Sequence, residues 1–148
     1  MNTPAMGSTA LSWAANGTFH HVGFVVSSIP KAAPGFAESL DAEWDGAIVH
    51  DMHQTVRVTF LRSRQLGNPL FELVEPAGEQ SPVMSLAKRG GGLHHVCYMA
   101  DALEKKLADC RARHCLIVRP PLPAAAFGGR RIAWVYTPNK LLIEYLER

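Results

Sequence analysis

The sequence predicts an α+β fold in which two tandem β-α-β-β-β modules form a curled mixed sheet around a metal site. Two repeated features predict it. A doubled histidine enters a run of branched and aromatic residues at 20–21 and again at 94–95, and a glutamate lies inside a later apolar run at Glu72 and again at Glu144. The second histidines are 74 residues apart and the glutamates 72 residues apart, so the chain consists of two copies of one unit.

Composition limits the classes to which this chain can belong. Its 148 residues are 47% hydrophobic and 19% charged, which is typical of a globular protein and excludes disordered and fibrous classes. A net charge of +2 is too small for a nucleic-acid-binding surface, so the expected partner is a small molecule. Three cysteines without a Cys-x-x-Cys pair suit reduced thiols. Because there is neither a signal peptide nor an apolar run long enough for a membrane span, we expect a cytoplasmic protein.

The repeat defines the predicted organisation of the chain. An N-terminal tail over 1–17 precedes a first module over 18–78, a linker helix over 79–91 and a second module over 92–148. The linker helix is predicted from its capping residues, because Ser81 and Pro82 suit a helix start and Gly90 suits a helix end. The two modules are expected to form a single domain with one shared site.

Each module is predicted from its hydrophobic periodicity. In the first, an alternating pattern predicts strands at 19–26, 56–61 and 70–74. An intervening helix starts near Ser28, and its apolar positions recur at helical spacing: Ile29, Ala33, Phe36, Ala37 and Leu40. The second module repeats this order with strands at 93–99, 116–119, 131–136 and 141–146, a helix whose buried stripe is Leu103, Leu107 and Cys110, and a proline-rich loop over 120–123.

The first and last strands of the modules carry the candidate ligands. If the two modules pack about a pseudo-two-fold axis, His21, Glu72, His95 and Glu144 meet near that axis. Two imidazoles and two carboxylates form a mixed nitrogen and oxygen site for a divalent transition ion, with positions left for substrate oxygens. Strand alternation directs His20 and His94 to the face opposite their neighbours, so only one histidine of each doublet is expected to serve.

The residues from His20 to Glu147 resemble the vicinal oxygen chelate superfamily, which includes glyoxalases, extradiol dioxygenases and bleomycin-resistance proteins. The closest resemblance is to methylmalonyl-CoA epimerases. It is carried by the segments His21-Val22-Gly23, Glu72-Leu73-Val74-Glu75-Pro76, Gly91-Gly92-Leu93-His94-His95 and Leu142-Ile143-Glu144. In this family the second histidine of the doublet is the ligand, which implies His95 and, by symmetry, His21.

The resemblance implies a divalent-metal-dependent isomerase or epimerase that stabilises an enolate by chelating vicinal oxygens of an acyl thioester. One ion of Co, Ni, Zn, Mn or Fe is expected, with Glu72 or Glu144 as the catalytic base. The implied substrate is a small molecule such as a coenzyme A or glutathione thioester, and the implied assembly is a homodimer. The alternatives are a lactoylglutathione lyase of the glyoxalase I type, a related enzyme on another small oxygenated substrate, or a metal-free drug-binding protein.

Four further residues are candidates for contact with the substrate. Val58 stands where some bacterial epimerases have an acid/base glutamate, which weighs against a two-base epimerisation. Cys97 shares a predicted strand face with His95. Arg130 and Arg131 follow a glycine-containing loop and suit the recognition of phosphate groups.

Overall fold

The computed structural model describes residues 18–148, so the predicted tail over 1–17 lies outside the described residues. The strands are β1 (Thr18–Val25), β2 (Ala42–Glu43), β3 (Val49–Asp51), β4 (Val56–Ser63), β5 (Leu70–Pro76), β6 (Gly92–Ala100), β7 (Leu116–Pro123), β8 (Arg131–Tyr136) and β9 (Leu142–Glu147). The helices are α1 (Ile29–Ser39), α2 (Met84–Lys88) and α3 (Leu103–Ala112), with one turn of 3₁₀ helix at Ala125–Phe127.

The strands between residues 18 and 148 form one mixed sheet with an internal symmetry. Its order is β2-β4-β5-β1-β6-β9-β8-β7, and β3 pairs with another part of β4. Strand β1 is parallel to β5 and β6 is parallel to β9, while β1 and β6 join the two halves as an antiparallel pair. The predicted α+β fold of two repeated units is confirmed, and the symmetry relates β1 and β5 to β6 and β9.

Helices α1 and α3 cover one face of the sheet, whereas α2 packs on the other face, beside the candidate site. Helix α1 buries Ile29 and Ala33 against Leu61 and Leu73, as its apolar spacing predicts. Helix α3 buries its stripe in an equivalent cluster made of Ala100, Leu103, Leu107, Cys110, Ala133, Val135 and Tyr145. Because strand side chains alternate, Leu73 faces α1 while the adjacent Glu72 faces away from it.

The linker helix is shorter than the sequence predicts. It begins at Met84 rather than at Pro82, since the Ser81 carbonyl accepts a hydrogen bond from the Met84 amide at 3.2 Å and closes a turn instead. After the helix, Gly91 has a φ of +74°, and a Cβ there would lie 2.3 Å from the Val25 carbonyl oxygen. Only glycine allows the chain to pass this close to the end of β1.

Two predictions about the outer strands are wrong. The loop predicted over 120–123 belongs to strand β7, which tolerates Pro120 and Pro121 because it lies at the edge of the sheet and its register shifts between Arg119 and Leu122. The short strands β2 and β3 lie in the interval between α1 and β4, where the sequence indicates only a turn. Among residues 18–148, no helix has the length and apolar character needed to cross a membrane.

Candidate metal centre

The four central strands bring the predicted ligands together through their registers. In the antiparallel β1–β6 pair Gly23 lies opposite His95, and His21 lies opposite Cys97. In the parallel β1–β5 pair Glu72 lies beside Gly23. In the equivalent β6–β9 pair Glu144 lies beside Cys97. Glu72 therefore lies beside Gly23, which faces His95 of the second module. Glu144 lies beside Cys97, which faces His21 of the first module.

The side chains of His21, Glu72, His95 and Glu144 converge on one point, and their ligand atoms all lie within 4.8 Å of one another. The Nε2 atoms of His21 and His95 are 3.0 Å apart. Glu72 Oε2 lies 3.0 Å from each of these nitrogens, and Glu144 Oε1 lies 3.3 Å from His21 Nε2. Such short separations between nitrogen and oxygen atoms are typical of ligand atoms that surround one metal ion.

The four side chains are almost completely buried. The exposed fractions of His21, Glu72, His95 and Glu144 are 0%, 4%, 1% and 2%. Within residues 18–148, the buried oxygens Glu72 Oε2 and Glu144 Oε1 accept no hydrogen bond of acceptable geometry. Buried carboxylate oxygens without donors are costly unless a cation neutralises them. The donor set and the two orphaned oxygens therefore fit a divalent cation.

The ionisation of the centre is strongly coupled. Burial favours the neutral form of Glu72, but the adjacent His21 and His95 imidazoles outweigh it and hold the pKa of Glu72 well below its usual range. Burial and then the charge of Glu72 raise the pKa of Glu144. Burial disfavours a charged His21, yet the Glu72 carboxylate overcomes that effect and raises the pKa of His21. Without a cation, these shifts favour the protonated forms of His21 and Glu144, and a bound cation would take over the role of these protons in balancing the carboxylate charge.

The prediction that His20 and His94 face away from the centre is wrong. Each is an extra residue where the β1–β6 register shifts, so its side chain turns to the same face as its neighbour. The Nδ1 atoms of His20 and His21 are 2.8 Å apart, and those of His94 and His95 are also 2.8 Å apart. Burial, and then the charge of His95, lowers the pKa of His94 to about 4.

A cavity of about 210 Å³ opens onto the centre. Its polar lining comes from Asp51, Gln54, Glu72, His94, His95, Arg119 and Glu144, and most of the remaining lining is aliphatic or aromatic. Such a cavity suits a small ligand with an apolar portion. It joins both modules, because β4 and β5 contribute one wall while β8 and β9 contribute the other.

The other predicted substrate contacts have different positions. Val58 lines the cavity. Cys97 is fully buried beside the centre, where burial and then the Glu144 carboxylate raise the pKa of its thiol. Arg130 is exposed and donates to the Phe127 carbonyl at 3.3 Å. Arg131 forms a two-bond ion pair with Glu147, at 2.9 and 2.6 Å, and lies outside the cavity wall.

Sequence reasoning missed several residues that shape the site. Phe127 stacks on His21 with ring centroids 6.0 Å apart, and Trp134 meets His95 edge-on at 4.8 Å. Asp51 is buried and accepts hydrogen bonds from the backbone amides of Gln54 and Ala125, so it ties the 3₁₀ turn of the second module to β3 of the first. No spacing signal marks these residues, because they come from segments outside the repeated motifs.

The comparisons with known proteins agree with this architecture. The family model of the glyoxalase/bleomycin resistance protein/dioxygenase superfamily matches residues 20–134. The chain belongs to this superfamily. It is 30% identical to the uncharacterized protein YqjC of Bacillus subtilis over 86% of this chain and 89% of that protein.

Methylmalonyl-CoA epimerases are also among the similar proteins. The human mitochondrial enzyme is 30% identical over 66% of this chain, and the match spans 54% of that enzyme's length. A structure of the Streptomyces coelicolor methylmalonyl-CoA epimerase in complex with 2-nitronate-propionyl-CoA aligns with a TM-score of 0.73 at 21% identity. The alignment covers 88% of this chain and 96% of that one, and it demonstrates a common fold.

Proposed function

We propose that this protein is a metal-dependent enzyme that moves a proton at the carbon next to the carbonyl of a small acyl thioester. One divalent ion, of Co, Ni, Zn, Mn or Fe, would be held by His21, Glu72, His95 and Glu144. The observation that carries the proposal is the convergence of these four buried side chains, within 4.8 Å of one another, at the inner end of an apolar cavity.

The bound ion would supply a Lewis acid that stabilises the oxyanion formed when the adjacent carbon loses its proton. The chain itself supplies the base. Glu72 Oε2 and Glu144 Oε1 would both be ligand atoms of the ion, so the base would be whichever of these two buried carboxylates releases the ion and accepts the proton. The aliphatic and aromatic cavity wall, which includes Val58 and Phe127, keeps water from competing for that proton.

The substrate class follows from the cavity and from the relatives. An apolar chamber of about 210 Å³ accommodates a short acyl group but not a whole coenzyme, so the carrier portion of a thioester would extend to the outside. Relatives named methylmalonyl-CoA epimerase support a coenzyme A thioester. Epimerisation of such an acyl group, as in methylmalonyl-CoA, is the reaction that we place first.

A second candidate reaction is a lactoylglutathione lyase of the glyoxalase I type. The presence of Val58 on the cavity wall favours it, because the side chain at this position has no carboxylate. Epimerisation by two bases needs proton donors on both faces of the carbon, whereas the proton shift between neighbouring carbons in a hemithioacetal needs a single base. Ligand identity does not separate the two reactions, since the same four residues serve both.

The test uses the metal-loaded protein in D₂O with each substrate in turn. Deuterium entry at the α-carbon of methylmalonyl-CoA, followed by NMR, supports the epimerase. Thioester formation from methylglyoxal and glutathione supports the lyase instead. A protein that takes up no Co(II), Ni(II) or Zn(II) and catalyses neither reaction would overturn the proposal and favour a metal-free binding protein.

We also propose that the protein is a cytoplasmic homodimer, in line with the family resemblance and the commonness of two-fold dimers among small chains. Light scattering coupled to size-exclusion chromatography measures the mass directly. A mass equal to the 16.2 kDa of one chain would contradict the dimer.

A further inference from the structure

Strands β1 and β6 contain two symmetrically placed bulges. Phe19 pairs with Tyr98 and His21 with Cys97, so His20 is an unpaired extra residue on β1. Further along, Gly23 pairs with His95 and Phe24 with Leu93, which leaves His94 as the extra residue on β6. A bulge re-aims the side chain of the extra residue, and bulges concentrate near active sites.

The bulges direct both extra histidines onto the candidate ligands. The His20 ring meets the His21 ring edge-on, with centroids 5.1 Å apart and planes at 77°. The His94 and His95 rings repeat this arrangement at 5.0 Å and 89°. In both pairs the two Nδ1 atoms are 2.8 Å apart, which is hydrogen-bonding distance.

The number of protons on each imidazole determines the direction of these hydrogen bonds when a cation is bound. A neutral imidazole carries one proton, so a histidine that offers its Nε2 lone pair to a cation carries the proton on Nδ1. His21 and His95 direct Nε2 toward the centre, since these two atoms are 3.0 Å apart. Their Nδ1–H groups then donate to the Nδ1 lone pairs of His20 and His94.

We propose that His20 and His94 are positioning residues that hold His21 and His95 in the tautomer and orientation required for cation binding. The inference rests on the metal site of the proposed function and adds an outer pair of residues to it. A metal-ligating histidine usually donates its other ring N–H to a carboxylate, carbonyl or water. In this protein a second imidazole takes that role in each module.

The packing around the outer histidines allows the hydrogen bond to be removed without removing the ring. His20 meets Phe127 edge-on at 5.6 Å, and His94 lies 5.9 Å from Trp134, so a phenyl ring suits both environments. His20→Phe and His94→Phe therefore keep an aromatic ring but lose the acceptor. His20→Asn and His94→Asn place an amide oxygen near the former Nδ1 position and keep the acceptor.

Metal affinity of the full chain, measured with Zn(II) against a competing chelator, is the first readout. Each Phe variant should bind the ion about 10- to 100-fold more weakly, and each Asn variant should stay within about threefold of the unaltered protein. His53→Phe is the matched control, because His53 is exposed and its replacement should leave the affinity unchanged. Equal affinity of the Phe variants and the unaltered protein, or equal losses in the Phe and Asn variants, would overturn the proposal.

The second readout does not depend on metal. Nitrogen NMR of the ¹⁵N-labelled protein should detect scalar coupling across an N–H···N bond between the Nδ1 atoms of His20 and His21, and likewise for His94 and His95. Absence of both couplings would overturn the proposal. If the protein binds no metal while both couplings are present, the metal site fails and the hydrogen-bonded pairs stand.

Discussion

Gly23 lies directly opposite His95 in the β1–β6 pair, and the imidazole occupies the space that a side chain at position 23 would need. A Cβ built on Gly23 would lie 2.0 Å from His95 Cε1. The symmetry-related position, directly opposite His21, is Cys97. Each candidate ligand histidine therefore lies over a small residue of the other module, which explains why glycine follows His21 two positions later.

Gly23→Ala should displace the His95 ring from the centre. We expect a loss of stability of about 2 kcal/mol from overpacking, accompanied by at least about tenfold weaker metal binding. Urea unfolding and chelator competition measure the two effects. Gly35→Ala is the control, because Gly35 lies exposed in helix α1 with open space at its Cβ, and the change should stabilise the protein by about 0.5–1 kcal/mol. Unchanged metal binding in Gly23→Ala would show that His95 does not need this space.

Metal affinity should rise with pH through the titration of His21. Burial opposes the charged imidazole but the Glu72 carboxylate stabilises it, so without metal the pKa of His21 lies above 6.5. Below that pKa the ion must displace a proton, and the affinity should increase by about tenfold per pH unit for one displaced proton. Above it the affinity should level off. Zn(II) titrations by calorimetry in two buffers of different ionisation enthalpy count the released protons, and a flat profile would contradict the coupling.

Replacing each carboxylate by its amide should separate metal binding from proton transfer. Glu72→Gln and Glu144→Gln keep an oxygen that can ligate the ion, but the amide oxygen is not basic enough to accept the substrate proton. At least one of them should retain the ion while hydrogen–deuterium exchange into the substrate falls by about 100-fold or more. If both variants retain metal and turnover, neither glutamate is the base.

Glu75 should stabilise the fold rather than the site. Its carboxylate is buried, accepts from the Ile29 amide at the start of α1 at 2.6 Å, and pairs with Arg57 at 2.5 Å. Glu75→Ala leaves the buried Ile29 amide without an acceptor and breaks the ion pair with the half-exposed Arg57, so it should cost about 2–3 kcal/mol in the free energy of unfolding. Glu75→Gln should cost about half as much, because it keeps an acceptor for the amide.

Urea unfolding measures these costs. The matched control is Glu79→Ala, which removes an exposed ion pair with Lys88 and should change stability by less than about 0.5 kcal/mol. A cost for Glu75→Ala no larger than for this control would show that the buried contacts contribute nothing.

The sequence by itself determined the repeat, the order of the main strands and helices, the two glutamates and the two histidine doublets of the site. Each depends on a local period or on a fixed offset. The helix stripe that contains Ile29 and Ala33 follows from the 3.6-residue period. The grouping of the two doublets follows from the 74-residue repeat, because equivalent positions of two symmetric units meet near their axis, and the family resemblance selects His21 and His95 within them.

Only the tertiary structure decided the faces of His20 and His94. Strand alternation assigns them to the wrong side, since a bulge depends on the pairing of two distant strands and leaves no periodic signal in either one. The same reason explains why Arg131 is held by Glu147 and why the prolines of β7 are tolerated at a sheet edge. Local chemistry selects which side chains are suited to a site, but the registers between strands decide which of them reach it.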